Sequence, residues 1–113
     1  PKGVEPKVDQ LSFGRMNWFP YWEAEHKAAR EDVILMDMSF MSKFLVQGRD
    51  AGKVLDYISA NSVNGDCNTI TYTQWLNKTG KLEADLTVTK LEEEKFFVVV
   101  TDTMHRHAET WMK

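Results

Sequence analysis

A chain of 113 residues with 42% hydrophobic, 12% aromatic and 27% charged residues has the profile of one packed domain and argues against disorder. Its 14 Lys plus Arg against 17 Asp plus Glu give a formal net charge of -3, which excludes a basic protein held to nucleic acid by phosphate contacts and argues against a polybasic grip on lipid. The single cysteine, Cys67, excludes an internal disulfide, and the longest apolar run, Phe96–Val100, is far short of the roughly 20 residues of a membrane helix. The opening PKGVEPKVDQ has no apolar segment, so it does not read as a signal peptide. The first residue is Pro and the last residues still read as helix, so the chain is expected to be a piece of a longer one.

Residues 1–12 are polar, with two prolines and no periodicity, and read as a linker or an arm. Phe13–Trp22 packs five aromatics into ten residues around Gly14 and Pro20. Such rings are expected to fill a groove on the core, with a ligand platform as the alternative. Trp22–Asp32 has strong helix formers and no Gly or β-branched residue, which predicts an amphipathic helix with Trp22, Ala29 and Val33 on its apolar stripe. Val33–Met38 reads as a short extended piece, and Met36, Met38 and Met41 as core filler.

Lys43–Gly48 predicts a strand, and Asp50 an N-cap for a helix over Ala51–Ala60 with Ala51, Val54, Leu55 and Ile58 at helical spacing. Asn61–Thr69 is loop by composition. Thr69–Leu76 is a strand rich in β-branched and aromatic residues, and Asn77–Gly80 is a hairpin turn. Lys81–Leu91 alternates, with Leu82, Ala84, Leu86 and Val88 on one face and Glu83, Asp85, Thr87 and Thr89 on the other. Glu92–Glu94 is a solvated turn, Phe96–Thr101 a strand that is central or buried on both faces, and a helix follows from about Thr103. Asp102 or Thr103 is its expected cap, with Ala108, Trp111 and Met112 as its stripe. The fold class is therefore α+β, an antiparallel sheet with a three-strand meander covered by helices.

The chemistry available is narrow. His105 and His107 are two apart, which points them about 200° apart on a helix, and one cysteine does not complete a zinc site, so no metal site is expected. No nucleophile motif and no Gly-rich phosphate loop is present, and Cys67 reads as inert. Asp85 stands out, because aspartate is depleted in mid-strand positions. Either its face is simply wet or it is a carboxylate at the floor of a pocket, with Tyr72 and Trp75 beside it; for Trp75 core filling is the expected use.

Three stretches carry a resemblance. Met36-Asp37-Met38-Ser39-Phe40-Met41-Ser42-Lys43-Phe44 is similar to the D-x-S-x-x-x-K-F stretch of the glycine-cleavage T-protein (aminomethyltransferase) superfamily, and Ser59-Ala60-Asn61-Ser62-Val63 to its A-N-D-V stretch. Tyr72–Val88 resembles its Y-T-x-x-L-N-x-x-G-x-x-x-D-L-T-V signature. The opening Gly14–Phe19 is most similar to the C-terminal region of dimethylglycine and sarcosine dehydrogenases, where a T-protein-like folate region follows an FAD-binding region. Ala84 stands where plain T-proteins more often carry the first of two adjacent acids.

The resemblance implies a T-protein-like N-terminal subdomain over residues 13–113, part of an enzyme that oxidises an N-methyl amine or transfers an aminomethyl group. It implies that tetrahydrofolate binds here and captures a one-carbon unit as methylenetetrahydrofolate, with FAD bound in a region outside this chain. The family's key aspartate maps onto Asp85, its folate-contacting tyrosine onto Tyr72, and the pocket wall onto Val98 and Val99. The implied partners are folate, the amine-derived one-carbon unit and the remaining domains of the parent chain. The implied compartment is the mitochondrial matrix in a eukaryote and the cytoplasm in a bacterium. The alternative within the superfamily is a non-catalytic regulatory or assembly module.

Overall fold

The structure, a computed structural model, describes Glu5 and residues 8–113. The arm expected over residues 1–12 therefore lies partly outside the described residues; Val8–Ser12 carry no helix or strand. The chain forms two compact units, Pro1–Asp37 and Met38–Lys113.

The first unit is built on one helix, α1, Phe19–Glu31, with Pro20 in its first turn, where a missing N–H costs nothing. That helix starts three residues before the expected Trp22 because Pro20 does not interrupt a first turn. No residue of α1 is buried. The aromatic segment packs against itself. Trp18 meets Trp22 edge-on at 6.3 Å between ring centroids, Phe19 lies 5.6 Å from Trp22, and the Arg15 guanidinium sits 4.2 Å over Phe19. The apolar stripe expected on α1 is likewise exposed at Trp22, and Val33 is 85% exposed. Val33–Met38 is irregular and forms no strand. Met36 and Met38 are exposed and Met41 is half-buried, so these methionines do not fill a core.

The second unit is a four-stranded antiparallel sheet with two helices, α2 (Ala51–Ile58) and α3 (His105–Met112). Its strands are β1 (Ser42–Gln47), β2 (Thr69–Leu76), β3 (Leu82–Glu92) and β4 (Lys95–Val100), in the spatial order β1-β4-β3-β2. β2, β3 and β4 form the expected meander, and β1 closes onto β4 with Phe44 opposite Val98. A 3-10 turn over Asp102–Met104 precedes α3.

Strand alternation divides the sheet into two faces. The inner face carries Phe44, Val46, Thr73, Trp75, Ala84, Leu86, Val88, Phe96, Val98 and Val100, and Leu55 of α2 and Ala108 of α3 join the same core. β4 is an interior strand, yet only its inner face is fully buried: Phe97 and Val99 are half-buried. On α2 the stripe is Ala51, Leu55 and Ile58, while Val54 points outward. Asp50 stands at the N-cap of α2 but accepts no side-chain capping bond and pairs with Arg49 and Lys53 instead, while Asp102 lies in the 3-10 turn and the N-cap of α3 is Met104, which makes no side-chain cap.

Two polar anchors tie the loop before β2 to its surroundings, one to α2 and one to the sheet. Asp56 of α2 accepts from the Ser62 hydroxyl at 3.0 Å and from the backbone N–H of Val63 at 2.8 Å. Lys90, on the inner face of β3, is 5% exposed, and its Nζ donates to the Gly65 carbonyl at 3.0 Å and to Glu93 at 2.9 Å. The acidic turn is thus bonded as well as wet: Glu93 holds Lys90, and Glu92 holds Lys95 at 3.0 Å.

Candidate functional site

The outer face of the sheet brings the predicted polar residues together. In register, Tyr72 faces Thr87, Thr87 faces Val99, and Val99 faces Lys43, which makes one row across four strands. The next position along β2 and β3 sets Gln74 directly opposite Asp85. Tyr72 and Asp85 are diagonal neighbours on this face, within reach of long side chains.

Three side chains form a network there. Gln74 Nε2 donates to Asp85 Oδ1 at 3.0 Å. The Tyr72 phenol donates to the Asp85 carboxylate, and this bond above all holds the Asp85 pKa below the ordinary aspartate value, with Gln74 adding to it and desolvation opposing. The same bond raises the Tyr72 pKa, since losing the proton breaks it and sets two anions together. At neutral pH the network is an ionised carboxylate held by two neutral donors.

The backbone beneath the network is braced. The Asn61 side chain donates to the Tyr72 carbonyl at 2.8 Å, the Asn61 backbone N–H donates to the Thr73 hydroxyl at 3.0 Å, and the Ala60 N–H donates to the Gln74 carbonyl at 2.9 Å. The A-N-x-V stretch therefore pins three consecutive residues of an edge strand. Sequence reasoning placed Asn61 in a resembling stretch without a role and passed over Gln74, whose partner is set by strand register.

Asp85, Tyr72 and Val99 share the outer face. Val98 does not. It is fully buried and pairs with Val88 on the inner face, because successive strand residues point to opposite sides. Phe97 takes its place on the outer face, with Leu45 and Thr89 as its cross-strand neighbours. Tyr72 is 59% exposed, so in this chain the carboxylate stands on an open sheet face rather than at the floor of an enclosed pocket. Trp75 is fully buried and donates to the Ser59 hydroxyl at 3.1 Å, a core role.

The remaining candidates are occupied locally. Among the described residues no group of three or more His, Cys, Asp or Glu is placed to hold a metal ion. His107 Nε2 lies 2.8 Å from Glu83, and His105 stacks on Phe44 at 4.8 Å. Burial and the neighbouring Glu93 push the Cys67 thiol up, which keeps it protonated and weakly nucleophilic.

Comparison with known proteins gives this arrangement a family. Residues 6–113 match the GCVT N-terminal domain. A 4-methylaminobutanoate oxidase (formaldehyde-forming) of Paenarthrobacter nicotinovorans is 36% identical over 98% of this chain and 13% of its own length. An aminomethyltransferase of Clostridium botulinum is 39% identical over 82% of this chain and 25% of its own. The pyruvate dehydrogenase phosphatase regulatory subunit, mitochondrial, of Mus musculus is 29% identical over 96% of this chain and 13% of its own. The chain thus spans between an eighth and a quarter of these relatives. Among solved structures, glycine cleavage system aminomethyltransferase T from Bartonella henselae shares the fold, with a TM-score of 0.63 at 23% identity over 67% of this chain and 21% of that one. The Tyr72–Asp85 stretch, the antiparallel meander and the match over residues 6–113 agree, and the chain belongs to the GCVT N-terminal domain family of the glycine-cleavage T-protein superfamily.

Proposed function

We propose that this chain is the tetrahydrofolate-binding part of a larger N-methyl-amine oxidase or dehydrogenase, or of an aminomethyltransferase. The observation that carries the reading is the ionised Asp85 held by Tyr72 and Gln74 on one face, at the position that the family signature gives its aspartate. The donor set suits a reduced pterin and its aminobenzoyl arm. A carboxylate accepts from ring N–H groups, and the half-buried Val99, diagonal to it on the same face, offers apolar contact to a flat ring. When bound, tetrahydrofolate supplies the nitrogen atoms that accept the one-carbon unit.

The residues of this chain have distinct parts in that chemistry. Asp85 orients the folate through its N–H groups and stabilises positive charge arising at nitrogen, or takes up the proton released there. Tyr72 holds the carboxylate and presents its ring to the ligand. Val99 walls the site from the outer face. The walls that face the open sheet belong to the rest of the parent chain, of which this segment is a fraction. A flavin region elsewhere in that parent would supply the oxidised amine.

The test is a tetrahydrofolate titration of the full-length parent, as wild type and as Asp85→Ala. Binding should weaken about tenfold or more, the loss of roughly 1.4 kcal/mol expected when a charged hydrogen-bond acceptor is removed. Equal binding and equal methylenetetrahydrofolate yield in both would remove Asp85 from the mechanism. One observation favours a second reading, a regulatory module without the transfer reaction: the likeness to the mouse phosphatase regulatory subunit over 96% of this chain. A wild type that takes up no tetrahydrofolate at all would favour it.

A further inference from the structure

We propose that Gln74 is a positioning residue of this site, whose side-chain amide aims the Asp85 carboxylate and keeps its charge available for a nitrogen-bearing ligand. The proposal rests on the folate reading above for the identity of that ligand, while the coupling of Gln74 to Asp85 stands on geometry alone. Gln74 and Asp85 are direct cross-strand partners, and Gln74 Nε2 donates to Asp85 Oδ1 at 3.0 Å. The strand that carries Gln74 is fixed at Tyr72, Thr73 and Gln74 by Ala60 and Asn61, so the amide starts from a backbone with little freedom.

The residue type is what the task requires. A glutamine orients a carboxylate through a neutral donor, so the site keeps a full negative charge. A lysine at that position would cancel the charge, and a glutamate would repel it. The surroundings add no cation. Among the described residues no ion pair includes Asp85. On its own strand Glu83 turns to Asn77 and His107. Lys43, the one cation in the adjoining row, donates its Nζ to the carbonyls of Ser39 and Met41 at 2.6 Å each. Gln74 also hydrogen-bonds the Tyr72 side chain, so it links the two residues of the site as well as holding the carboxylate.

The experiment uses the full-length protein as wild type, Gln74→Leu and Gln74→Glu. Three quantities are read: the Asp85 titration by carbon-13 NMR with carboxyl-labelled aspartate assigned through Asp85→Asn, tetrahydrofolate affinity, and the melting temperature. The expected order of the Asp85 midpoint is wild type lowest, Gln74→Leu higher and Gln74→Glu highest, with melting temperatures within a few degrees. Tetrahydrofolate should bind about 3- to 10-fold more weakly to Gln74→Leu and more weakly still to Gln74→Glu, because one oriented hydrogen bond is lost and then a like charge is added. An Asp85 midpoint equal in all three proteins overturns the proposal, as does a shifted midpoint with unchanged affinity. A wild type that binds no tetrahydrofolate overturns the folate reading instead, and the ordered midpoints then still establish the Gln74–Asp85 coupling.

Discussion

At the scale of single residues, two aspartates with lowered pKa values behave differently because of what donates to them. Asp85 is held by side chains on an open face, whereas Asp56 is held chiefly by the backbone N–H of Val63, then by Ser62 and Asn64. Its role is to fasten a loop. Asp56→Ala should destabilise the fold by about 1–2 kcal/mol at pH 7, the range for a hydrogen-bonded charged acceptor. Because the folded-state pKa is depressed, this contribution is full above the ordinary aspartate value of 3.8 and is lost as pH falls through the lowered one. Chemical denaturation of both proteins at pH 7 and near pH 3 checks it: the gap should narrow in acid, and a gap that widens would contradict the assignment. Asp85 was legible from the sequence because an aspartate is costly in mid-strand, and Tyr72 because the signature holds it in register. Gln74 and Asn61 were not, since their partners lie 11 residues away across a hairpin and a loop.

At the scale of elements, composition located the strands and left the phase of one of them open. Thr69–Leu76 is β2 to the residue, and the alternation of β3 put Ala84, Leu86 and Val88 inward as expected. Leu82 departs from that face because the register shifts between Trp75 and Leu76. The run Phe96–Val100 is apolar at every position, so periodicity carries no information about which side faces the core. Pairing with β3 and β1 decides it: Phe96, Val98 and Val100 are fully buried, and Phe97 and Val99 look outward. Phe96→Ala should therefore cost about 3–5 kcal/mol through the cavity it leaves, and Val99→Ala less than about 1 kcal/mol. Denaturant midpoints distinguish them, and a larger loss at Val99 than at Phe96 would mean that the strand is inverted. The α1 stripe failed for a related reason. Amphipathic spacing says which side chains share a face, and it does not say what covers that face.

At the scale of the whole molecule, helix and strand order sufficed for the α+β class and for the meander. The place of β1 at the far side of β4 was not legible, since it pairs residues about 50 apart in the chain and no local turn signals it. The sheet is also asymmetric in what its faces do. One side is closed by α2, α3 and a continuous core, and the other, which carries the carboxylate, presents Leu45, Ile70 and Tyr72, each more than half exposed. The ammonium of Lys90, embedded in the closed side and bonded to the Gly65 carbonyl, makes the loop before β2 a dependent of β3. Loop and sheet should consequently open together, as one cooperative unit of amide hydrogen exchange. In Lys90→Met, which keeps the stem and loses the tether, the amides of residues 61–68 should exchange about tenfold faster while those of Leu86 and Val88 keep their protection. The floor under Asn61, and with it the aim of the strand carrying Tyr72 and Gln74, would then fluctuate on its own clock.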